Sequence, residues 1–470
     1  MMNRTRRIGI FAFTLAIILS VLACGGSTQV TQPPPPPSPT SPPPPTNTSP
    51  APLATNTQAP QPTQADTGPG PNPVAGQINV LEVTGFKDVS DYWYFYGLIR
   101  NDTDRTITDV EVEVKLLDAN AAILYTYTTY SSLYYLAPGE TSPFKDFTTE
   151  PFPTGATVQA TIIGNGTSDP LNRANLEYRG ITLWADEYND VYLAGEVTNN
   201  GTDPVQVNGI AGTLVDASGK VVTASTAYPY LNHIEPGKSG PFVMMFDAPT
   251  DQAASLISYN LYTDAVISGP ITTYDLTLSE EHYNYLDSFG DMHLIGSVTN
   301  NSSVELSVYL VAGIYDVNGN VVDANSVYMP VPLAPGETLP YDFDIWGSVD
   351  YVNEAYAAAS QYQIFFDWYS IYETFSPAYN ISTSDDANTF DGSTATFSGN
   401  VLNNSGRDLD SATVIVALYD KGTGKLIATN YTYVSGPIAN NATGSYEVYL
   451  YTESNIDPNN VQFVITAKGQ

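Results

Sequence analysis

The sequence predicts an all-β protein built from four tandem antiparallel β-sandwich modules, which follow a disordered Pro-rich linker. Three observations support this class. A set of landmarks recurs about every hundred residues from residue 77 onward, the segments between landmarks alternate apolar and polar residues, and no long segment with helical periodicity follows residue 24. The stretch from Asn353 to Gln363 is the single candidate for a short helix.

Each repeat contains the same three landmarks in the same order. A strand with a central glycine ends in an Asn-rich turn, an aspartate follows 20 or 21 residues after the glycine, and a second turn comes later. The first landmark spans Gly97–Asn101, Gly195–Asn199, Gly296–Asn300 and Gly399–Asn403, and the aspartates are Asp118, Asp216, Asp316 and Asp420. The second turn contains Pro-Gly at 136–140, 234–238 and 333–337, whereas 438–442 has lost it. We therefore place the repeats at 77–168, 174–270, 273–375 and 377–470.

The segments between the landmarks have the character of strands. In the first repeat, four apolar residues alternate with four polar ones, which predicts a strand with one solvated face: Val110, Val112, Val114 and Leu116 alternate with Asp109, Glu111, Glu113 and Lys115. The central glycines share a face with large apolar residues, so we expect each to leave room for a large side chain from the facing sheet. Turns every 8 to 12 residues favour an antiparallel sandwich.

The segments that end in the four aspartates resemble a family of bacterial modules named FxLYD for its Phe-x-Leu-Tyr-Asp signature. They read Val114-Lys-Leu-Leu-Asp118, Gly212-Thr-Leu-Val-Asp216, Ala312-Gly-Ile-Tyr-Asp316 and Val416-Ala-Leu-Tyr-Asp420. The first position is never Phe here, and two copies keep the Tyr. With the Gly-x-Val-x-Asn element and the Pro-Gly-Glu turn, the resemblance covers most of residues 77–470. It implies an immunoglobulin-like β-sandwich, often found on exported lipoproteins, and no particular chemistry.

Residues 1–23 have the pattern of a lipoprotein signal peptide. Three arginines precede an apolar run, Ile8 to Ala23, that is too short for a span of ~20 residues. The run ends in Val21-Leu22-Ala23-Cys24, which resembles the lipobox of bacterial lipoproteins. That resemblance implies cleavage before Cys24 and attachment of diacylglycerol and palmitate there; the alternative is an ordinary signal peptide with an incidental cysteine. We expect lipidation at Cys24 and a location on the extracytoplasmic face of the cell membrane.

Residues 24–76 are predicted to form a disordered spacer after the lipidated cysteine. Between Pro33 and Pro73 lie 17 of the 35 prolines, and Asp66 is the only charged residue from 28 to 76. Such runs favour polyproline II, which rises ~3.1 Å per residue, so the spacer can reach on the order of 150 Å. We expect it to lift the modules through an envelope layer; a docking site for proline-binding domains is the alternative.

Charge and cysteine content limit the classes of function. Without the signal peptide, 13 basic side chains face 49 acidic ones, a net charge of −36. A field of this sign repels nucleic acid and anionic lipid, so we expect no nucleic-acid partner and contact with the membrane through the Cys24 lipid. Because Cys24 is the only cysteine, no disulfide can form within the chain, and an apolar core must hold each module together.

No constellation of residues points to a catalytic centre or a cofactor. The three histidines, His233, His282 and His293, lie in different repeats or at unmatched positions without metal-ligand spacing, and we expect each at the surface. A nucleophile elbow and a phosphate-binding glycine loop are both missing from the sequence. We expect no enzymatic activity and no cofactor, although the many acids leave a carboxylate pair for sugar hydrolysis as an open alternative.

Calcium is the one metal for which the sequence offers a candidate loop. The segment from Asp316 to Asn320 resembles the start of an oxygen-ligand loop, but it lacks the spacing and terminal glutamate of an EF-hand. A turn whose aspartate caps backbone amides explains all four copies instead.

The third repeat is exceptionally acidic. Between Asp275 and Glu373 it has 15 acids and neither lysine nor arginine. The acids cluster at Glu280-Glu281, at Asp287 with Asp291, and at Asp342 with Asp344. One hypothesis is that divalent cations such as Ca²⁺ stabilise this repeat by screening or by weak binding.

Clusters of aromatic residues are the remaining candidates for a binding face. They comprise Tyr92, Tyr94 and Tyr96, which alternate with Trp93 and Phe95; Tyr125, Tyr127, Tyr130, Tyr134 and Tyr135; and Trp368, Tyr369 and Tyr372 after Phe365-Phe366. Tyrosine suits faces that bind proteins or sugars, but core packing and cross-strand pairing explain these clusters too.

The leading expectation is a non-catalytic cell-surface lipoprotein that presents its modules for structural or adhesive interaction with a protein or glycan. The alternative is a carbohydrate- or solute-binding lipoprotein that uses Tyr-rich faces.

Overall fold

The structure is a computed structural model that describes residues 76–87, 92–150, 155–185, 191–247, 258–279, 283–287, 290–345, 359–374, 378–453 and 456–470. All strand pairing in these residues is antiparallel, and they contain no helix. The predicted all-β class with repeated sandwiches is confirmed. The predicted helix from Asn353 to Gln363 is wrong over its described part, because residues from Ala359 onward form a strand; residues 353–358 lie outside the described residues.

The first two modules share one plan of seven strands. In the first, they are β1 (Ile78–Lys87), β2 (Trp93–Asn101), β3 (Thr106–Leu117), β4 (Ile123–Tyr130), β5 (Tyr135–Leu136), β6 (Thr141–Thr148) and β7 (Thr157–Ser168). In the second, they are β8 (Leu176–Ala185), β9 (Val191–Asn199), β10 (Val205–Val215), β11 (Val221–Ala227), β12 (His233–Ile234), β13 (Ser239–Phe246) and β14 (Ser258–Ile267). The sheets have the orders β1-β2-β6 and β4-β3-β7, then β8-β9-β13 and β11-β10-β14. The short strands β5 and β12 pair with β3 and β10.

The third and fourth modules vary this plan. The third has β15 (Leu276–Leu278), β16 (Tyr283–Leu286), β17 (Met292–Asn300), β18 (Leu306–Ser307), β19 (Tyr309–Asp316), β20 (Val321–Tyr328), β21 (Thr338–Ile345), β22 (Ala359–Phe366) and β23 (Tyr372–Glu373). There β17 lies between β21 and the pair β15 and β16, the second sheet is β20-β19-β22, and β18 pairs with β23. The fourth has β24 (Tyr379–Asp391), β25 (Thr394–Leu402), β26 (Leu409–Asp420), β27 (Leu426–Ile438), β28 (Thr443–Tyr451) and β29 (Val461–Gly469). Its sheets, β24-β25-β28 and β27-β26-β29, join where β24 pairs with β29.

Each module is a sandwich because its two sheets bury one apolar face against each other. In the first module, Phe95 and Ile99 from β2 pack with Val112 and its neighbours from β3. The predicted alternation of β3 is confirmed, since its four apolar residues from Val110 to Leu116 are fully buried whereas Asp109 is exposed.

The central glycines make room for an aromatic ring, but the ring comes from the neighbouring strand and not from the facing sheet. Gly97 lies opposite Phe144 of β6 in the same sheet, and a Cβ atom on Gly97 would overlap that ring. The same cross-strand pairing recurs at Gly195 with Phe242, at Gly296 with Tyr341 and at Gly399 with Tyr446. The expectation of a facing-sheet partner is wrong, because a ring beside a glycine gains most contact by lying across the bare backbone of its own sheet.

The modules also pack against one another, sheet face to sheet face, within one compact unit. The outer face of β1-β2-β6 covers that of β11-β10-β14, where Tyr96 and Leu98 meet Val215 and Val221. The outer face of β8-β9-β13 covers that of β20-β19-β22, and β17 and β21 contact β27. We call these contacts the first, middle and last junctions.

This stacking explains why the strands equivalent to β3 differ from it in the burial of their outer face. Residues 210–215 of β10, 310–315 of β19 and 412–418 of β26 are buried without interruption, because the preceding module covers their outer face. The solvated face predicted for β3 exists because none of the modules that the structure describes covers it. Polar residues also occupy the outer face of the last module, where Thr394, Thr396 and Ser398 alternate with core residues of β25. Both ends of the stack therefore have the polar outer layer typical of capping repeats.

Candidate functional site

The predicted lipidation site, Cys24, lies outside the described residues, as do the signal peptide and the spacer up to residue 75. Over the part of the chain that the structure describes, no helix is long and apolar enough to cross a membrane.

The first landmark of every repeat ends in a buried asparagine: Asn101, Asn199, Asn300 and Asn403 are fully buried. In the third module, Nδ2 of Asn300 donates to the carbonyls of Val304 and Leu333, both at 2.8 Å. Its Oδ1 accepts from the backbone N of Ser302 at 3.0 Å and from the Ser302 hydroxyl at 2.6 Å. The amide is thereby saturated, which is how a buried polar side chain avoids a desolvation cost.

These asparagines join the two turns that the sequence showed as separate landmarks. The backbone N of Asn300 donates to the carbonyl of Glu337, and the N of Gly336 donates to the carbonyl of Asn300. In the fourth module the N of Asn441 makes the equivalent bond to Asn403. Asn441 has φ +63°, close to the φ of +77° at Gly336, and asparagine tolerates this left-handed conformation. The turn therefore survives the loss of Pro-Gly.

The four aspartates that recur at equivalent positions of the repeats cap turns, as the sequence predicts. Oδ1 of Asp316 accepts from the backbone N of Asn318 and of Asn320, both at 2.8 Å, and Asp118 bonds its turn in the same way. Burial raises the pKa of Asp316, but the hydrogen bonds from Asn320 and Asn318 outweigh it and hold the pKa below its ordinary value. Each carboxylate is thus occupied by its own turn.

An arginine that the sequence did not single out clamps the first junction. Arg173 lies between the first two modules, and its Nε donates to Glu140 Oε1 at 2.9 Å in the Pro-Gly turn of the first module. Its Nη1 donates to Asp264 Oδ1 at 2.9 Å in the second module, and its Nη2 donates to the carbonyl of Tyr135 at 3.0 Å. Asp264 is almost fully buried, so this guanidinium neutralises a carboxylate that burial would otherwise destabilise.

The last junction has an equivalent clamp, and the middle junction a different one. Lys468, from the final strand, is buried and donates to the carbonyl of Pro332 at 2.9 Å and to Glu337, the counterpart of Glu140. At the middle junction the hydroxyl of Tyr315 donates to Glu196 Oε1 at 2.6 Å. Burial raises the pKa of Glu196, and the tyrosine supplies a donor without a charge.

The predicted tyrosine faces serve mostly internal packing. Tyr96 is fully buried against the second module, and Tyr127 packs into the core of the first. Tyr130, Tyr134, Tyr369 and Tyr372 remain exposed, each from 49% to 56%. The fourth module has two neighbouring exposed tyrosines that the sequence did not single out: the rings of Tyr431 and Tyr433 are 5.4 Å apart.

The three histidines have different environments. His233 is half-buried at the middle junction, where its ring stacks 4.5 Å from that of Tyr369, and His282 lies outside the described residues. His293 is only 7% exposed, so the expectation of a surface position is wrong for it. It lies on the outer face of β17, which alternation assigns to solvent, but the fourth module covers that face.

The acidic third repeat concentrates part of its charge around His293. Asp342 and Asp344 lie on β21 beside it, and Asp287 lies in the turn before β17. Within the described ranges, no group of three or more His, Cys, Asp or Glu residues has the arrangement of a metal site; Glu280 and Glu281 lie outside those ranges. Calcium association of this repeat stays a prediction.

Comparisons with known proteins add little to this geometry. No protein-family model and no curated protein matches the chain. Among solved structures, red sea bream transglutaminase is similar at 12% sequence identity and a TM-score of 0.14, over 55% of this chain and 37% of that chain. The match spans little more than a third of the transglutaminase, and so low a TM-score carries no argument. Membership of the FxLYD family stays a prediction.

Proposed function

We propose that this chain is a non-catalytic, FxLYD-type surface lipoprotein that holds a stack of four β-sandwiches outside the cell membrane for structural or adhesive contacts. The observation that carries the proposal is the continuity of the stack. Every pair of successive modules is joined by buried side chains and by a polar clamp, so the modules form one body and not a string of independent beads.

The hydrogen-bond partners of the recurrent polar side chains support a role without catalysis. The recurrent asparagines and aspartates, which a sequence search would first consider for chemistry, are occupied by hydrogen bonds to their own turns. The buried cations Arg173 and Lys468 are occupied by junction carboxylates and carbonyls. The first set of hydrogen bonds holds the turns of each module, and the second set holds neighbouring modules in position.

A carbohydrate- or solute-binding lipoprotein is the second candidate, and the exposed tyrosines of the fourth module favour it. Tyr431 and Tyr433 are 39% and 62% exposed, and they stand on the same strand with their rings edge to face. Two adjacent exposed tyrosines offer both an apolar surface and hydrogen-bonding groups to a sugar or a protein loop.

The lipid anchor is tested by replacing Cys24→Ala in the full chain and following its partition between detergent and aqueous phases. The expected result is transfer from the detergent phase to the aqueous phase and loss of incorporated labelled palmitate, while a Ser27→Ala variant behaves as wild type. Unchanged partition of Cys24→Ala would contradict lipidation at this residue.

The binding role is tested by screening the full chain against immobilised glycans and extracellular matrix proteins. If the second candidate is correct, Tyr433→Ala abolishes binding to a defined sugar, whereas Tyr228→Ala, at an exposed tyrosine of the second module, leaves it unchanged. Binding to matrix proteins that survives Tyr433→Ala supports the adhesive role.

A further inference from the structure

A row of titratable side chains crosses the outer face of the first sheet of the third module. Tyr285 of β16 lies directly opposite His293 of β17, and His293 lies directly opposite Asp344 of β21. Asp342, two residues before Asp344, occupies the diagonal position on the same face. Side chains at such cross-strand positions are close enough to interact.

The contacts of His293 bind three segments together. Its Nδ1 lies 2.8 Å from Oδ2 of Asp342, and its Nε2 lies 3.8 Å from Oδ2 of Asp287. Its ring stacks on Tyr285 with centroids 4.9 Å apart and planes 12° apart. The imidazole therefore contacts β16, β21 and the turn between β16 and β17 at the same time.

The row is buried by the fourth module. His293, Asp287 and Tyr285 are each less than one-tenth exposed, and Oδ1 of Asp342 has no hydrogen-bond partner within the described residues. The strand that covers β17 and β21 is β27, whose sequence contains no acid, lysine, arginine or histidine and whose titratable groups are Tyr431 and Tyr433. The repeat lacks lysine and arginine between residues 275 and 373, so a protonated His293 supplies positive charge beside Asp342 and Asp287.

Tyr285 connects the row to the fourth module. Its hydroxyl donates to the backbone carbonyl of Tyr451 at 3.0 Å, across the last junction. On the other side of the turn, the backbone N of Asp291 donates to Oδ1 of Asp287 at 3.0 Å. The position of β16, and with it the bond to Tyr451, thus depends on what holds Asp287 and Tyr285 against β17.

We propose that protonation of His293 stabilises the junction between the third and fourth modules. The imidazolium, held between Asp342 and Asp287, keeps β16 in place and its Tyr285 on the fourth module. Loss of the proton removes the positive charge held between Asp342 and Asp287, so β16 separates from β17 and the junction loosens.

The direction of the pH dependence follows from the direction in which the pKa of His293 is shifted. Burial lowers the pKa of His293, but the hydrogen bond to Asp342 and the charges of Asp342, Asp344 and Asp287 outweigh it and raise the pKa above its ordinary value. The stabilisation is therefore complete below about pH 6.5, the pKa in the unfolded chain, and is lost as the pH rises through the folded pKa. Burial raises the pKa of Asp342, which increases its dependence on the imidazolium.

The proposal is tested by hydrogen exchange of the full chain between pH 6 and 9, corrected for intrinsic rates, together with NMR titration of the three histidine rings. We expect exchange at 283–287 and 449–452 to accelerate about tenfold for each unit by which the pKa of His293 exceeds 6.5. The middle-junction segment 230–234 is the internal control and keeps its protection. A pKa of His293 at or below 6.5, or exchange that does not change with pH, overturns the proposal.

Substitutions at His293 distinguish stabilisation by its proton from a structural role of its side chain. His293→Gln removes the charge at every pH, so protection at 283–287 should be low throughout and independent of pH. His293→Lys keeps a charge over this range, so protection should stay high at pH 9. Tyr285→Phe should lower protection at 449–452 without moving the pKa of His293. A pH response that persists in His293→Gln contradicts the proposal, and the wild-type titration decides it if a variant does not fold.

Discussion

Replacing the buried asparagine of the third module is expected to weaken that module severely. Asn300→Ala removes four hydrogen bonds: two to the carbonyls of Val304 and Leu333, and two from Ser302. Each contributes about 1 kcal/mol, and the carbonyl of Leu333 is left buried without this partner, whereas the Ser302 hydroxyl keeps its bond to Val304. We expect a loss of about 4 kcal/mol in the local free energy of unfolding, roughly a thousandfold change in the opening equilibrium.

The loss is best measured by segment-resolved hydrogen exchange, because a multi-module chain does not unfold in two states. Exchange in 296–300 and 333–337 should accelerate together, since the asparagine joins these two turns. The matched control is Asn301→Ala, at the exposed neighbouring residue, with an expected loss below about 1 kcal/mol. A loss for Asn300→Ala no larger than that of the control would refute the view that the buried amide holds the turns together.

Three further outcomes follow from the clamps, the glycines and the turns. Arg173→Met should lower the local free energy of unfolding at the first junction, measured by hydrogen exchange, by about 3 kcal/mol, because it leaves Asp264 buried and without its guanidinium. Asp264→Asn in the same chain should recover part of this loss, and no recovery would contradict the clamp. Gly97→Ala should lower the local free energy of unfolding of the first module, measured by hydrogen exchange, by at least about 2 kcal/mol, because the added Cβ overlaps the neighbouring ring. Gly209→Ala, which has open space, should leave that of the second module unchanged, and equal effects would contradict the overlap. Since the folded pKa of Asp316 is lowered, its stabilisation exists above about pH 3.9 and disappears as the pH falls through the folded value; a carboxyl NMR titration midpoint at or above 3.9 would be inconsistent with the cap.

Local patterns predicted much of the fold because they report on single strands and turns. The alternation around Val112 marks a strand with one buried face, and Asp316 before Asn-Gly marks a turn that needs a capping carboxylate. Both effects act within a few residues, so one sequence contains them.

What the sequence could not show is which outer faces meet. His293 and Tyr96 alternate with core residues, and alternation alone assigns them to solvent, yet a second module buries each of them. The same limitation hid Lys468, since a cation on the outer face of a strand is usually solvated. A usable signal was present in the scarcity of positive charge. With 13 basic residues against 49 acidic ones after the signal peptide, a basic residue near a module boundary, such as Arg173 or Lys468, is a candidate partner for a junction carboxylate.

The polar outer layers at the two ends of the stack have a consequence for the growth of the protein in evolution. The second module has an apolar cluster on each of its two outer faces, so its duplication would insert two sheets, about 20 Å at ~10 Å per layer, without exposing a new apolar surface. Duplication of the third module would instead place the charged row around His293 against the apolar face of the copy. Duplication of the first or last module would instead place a polar layer inside the stack. Copying of the second module would therefore lengthen the stack and leave the polar outer layers of the first and fourth modules unchanged.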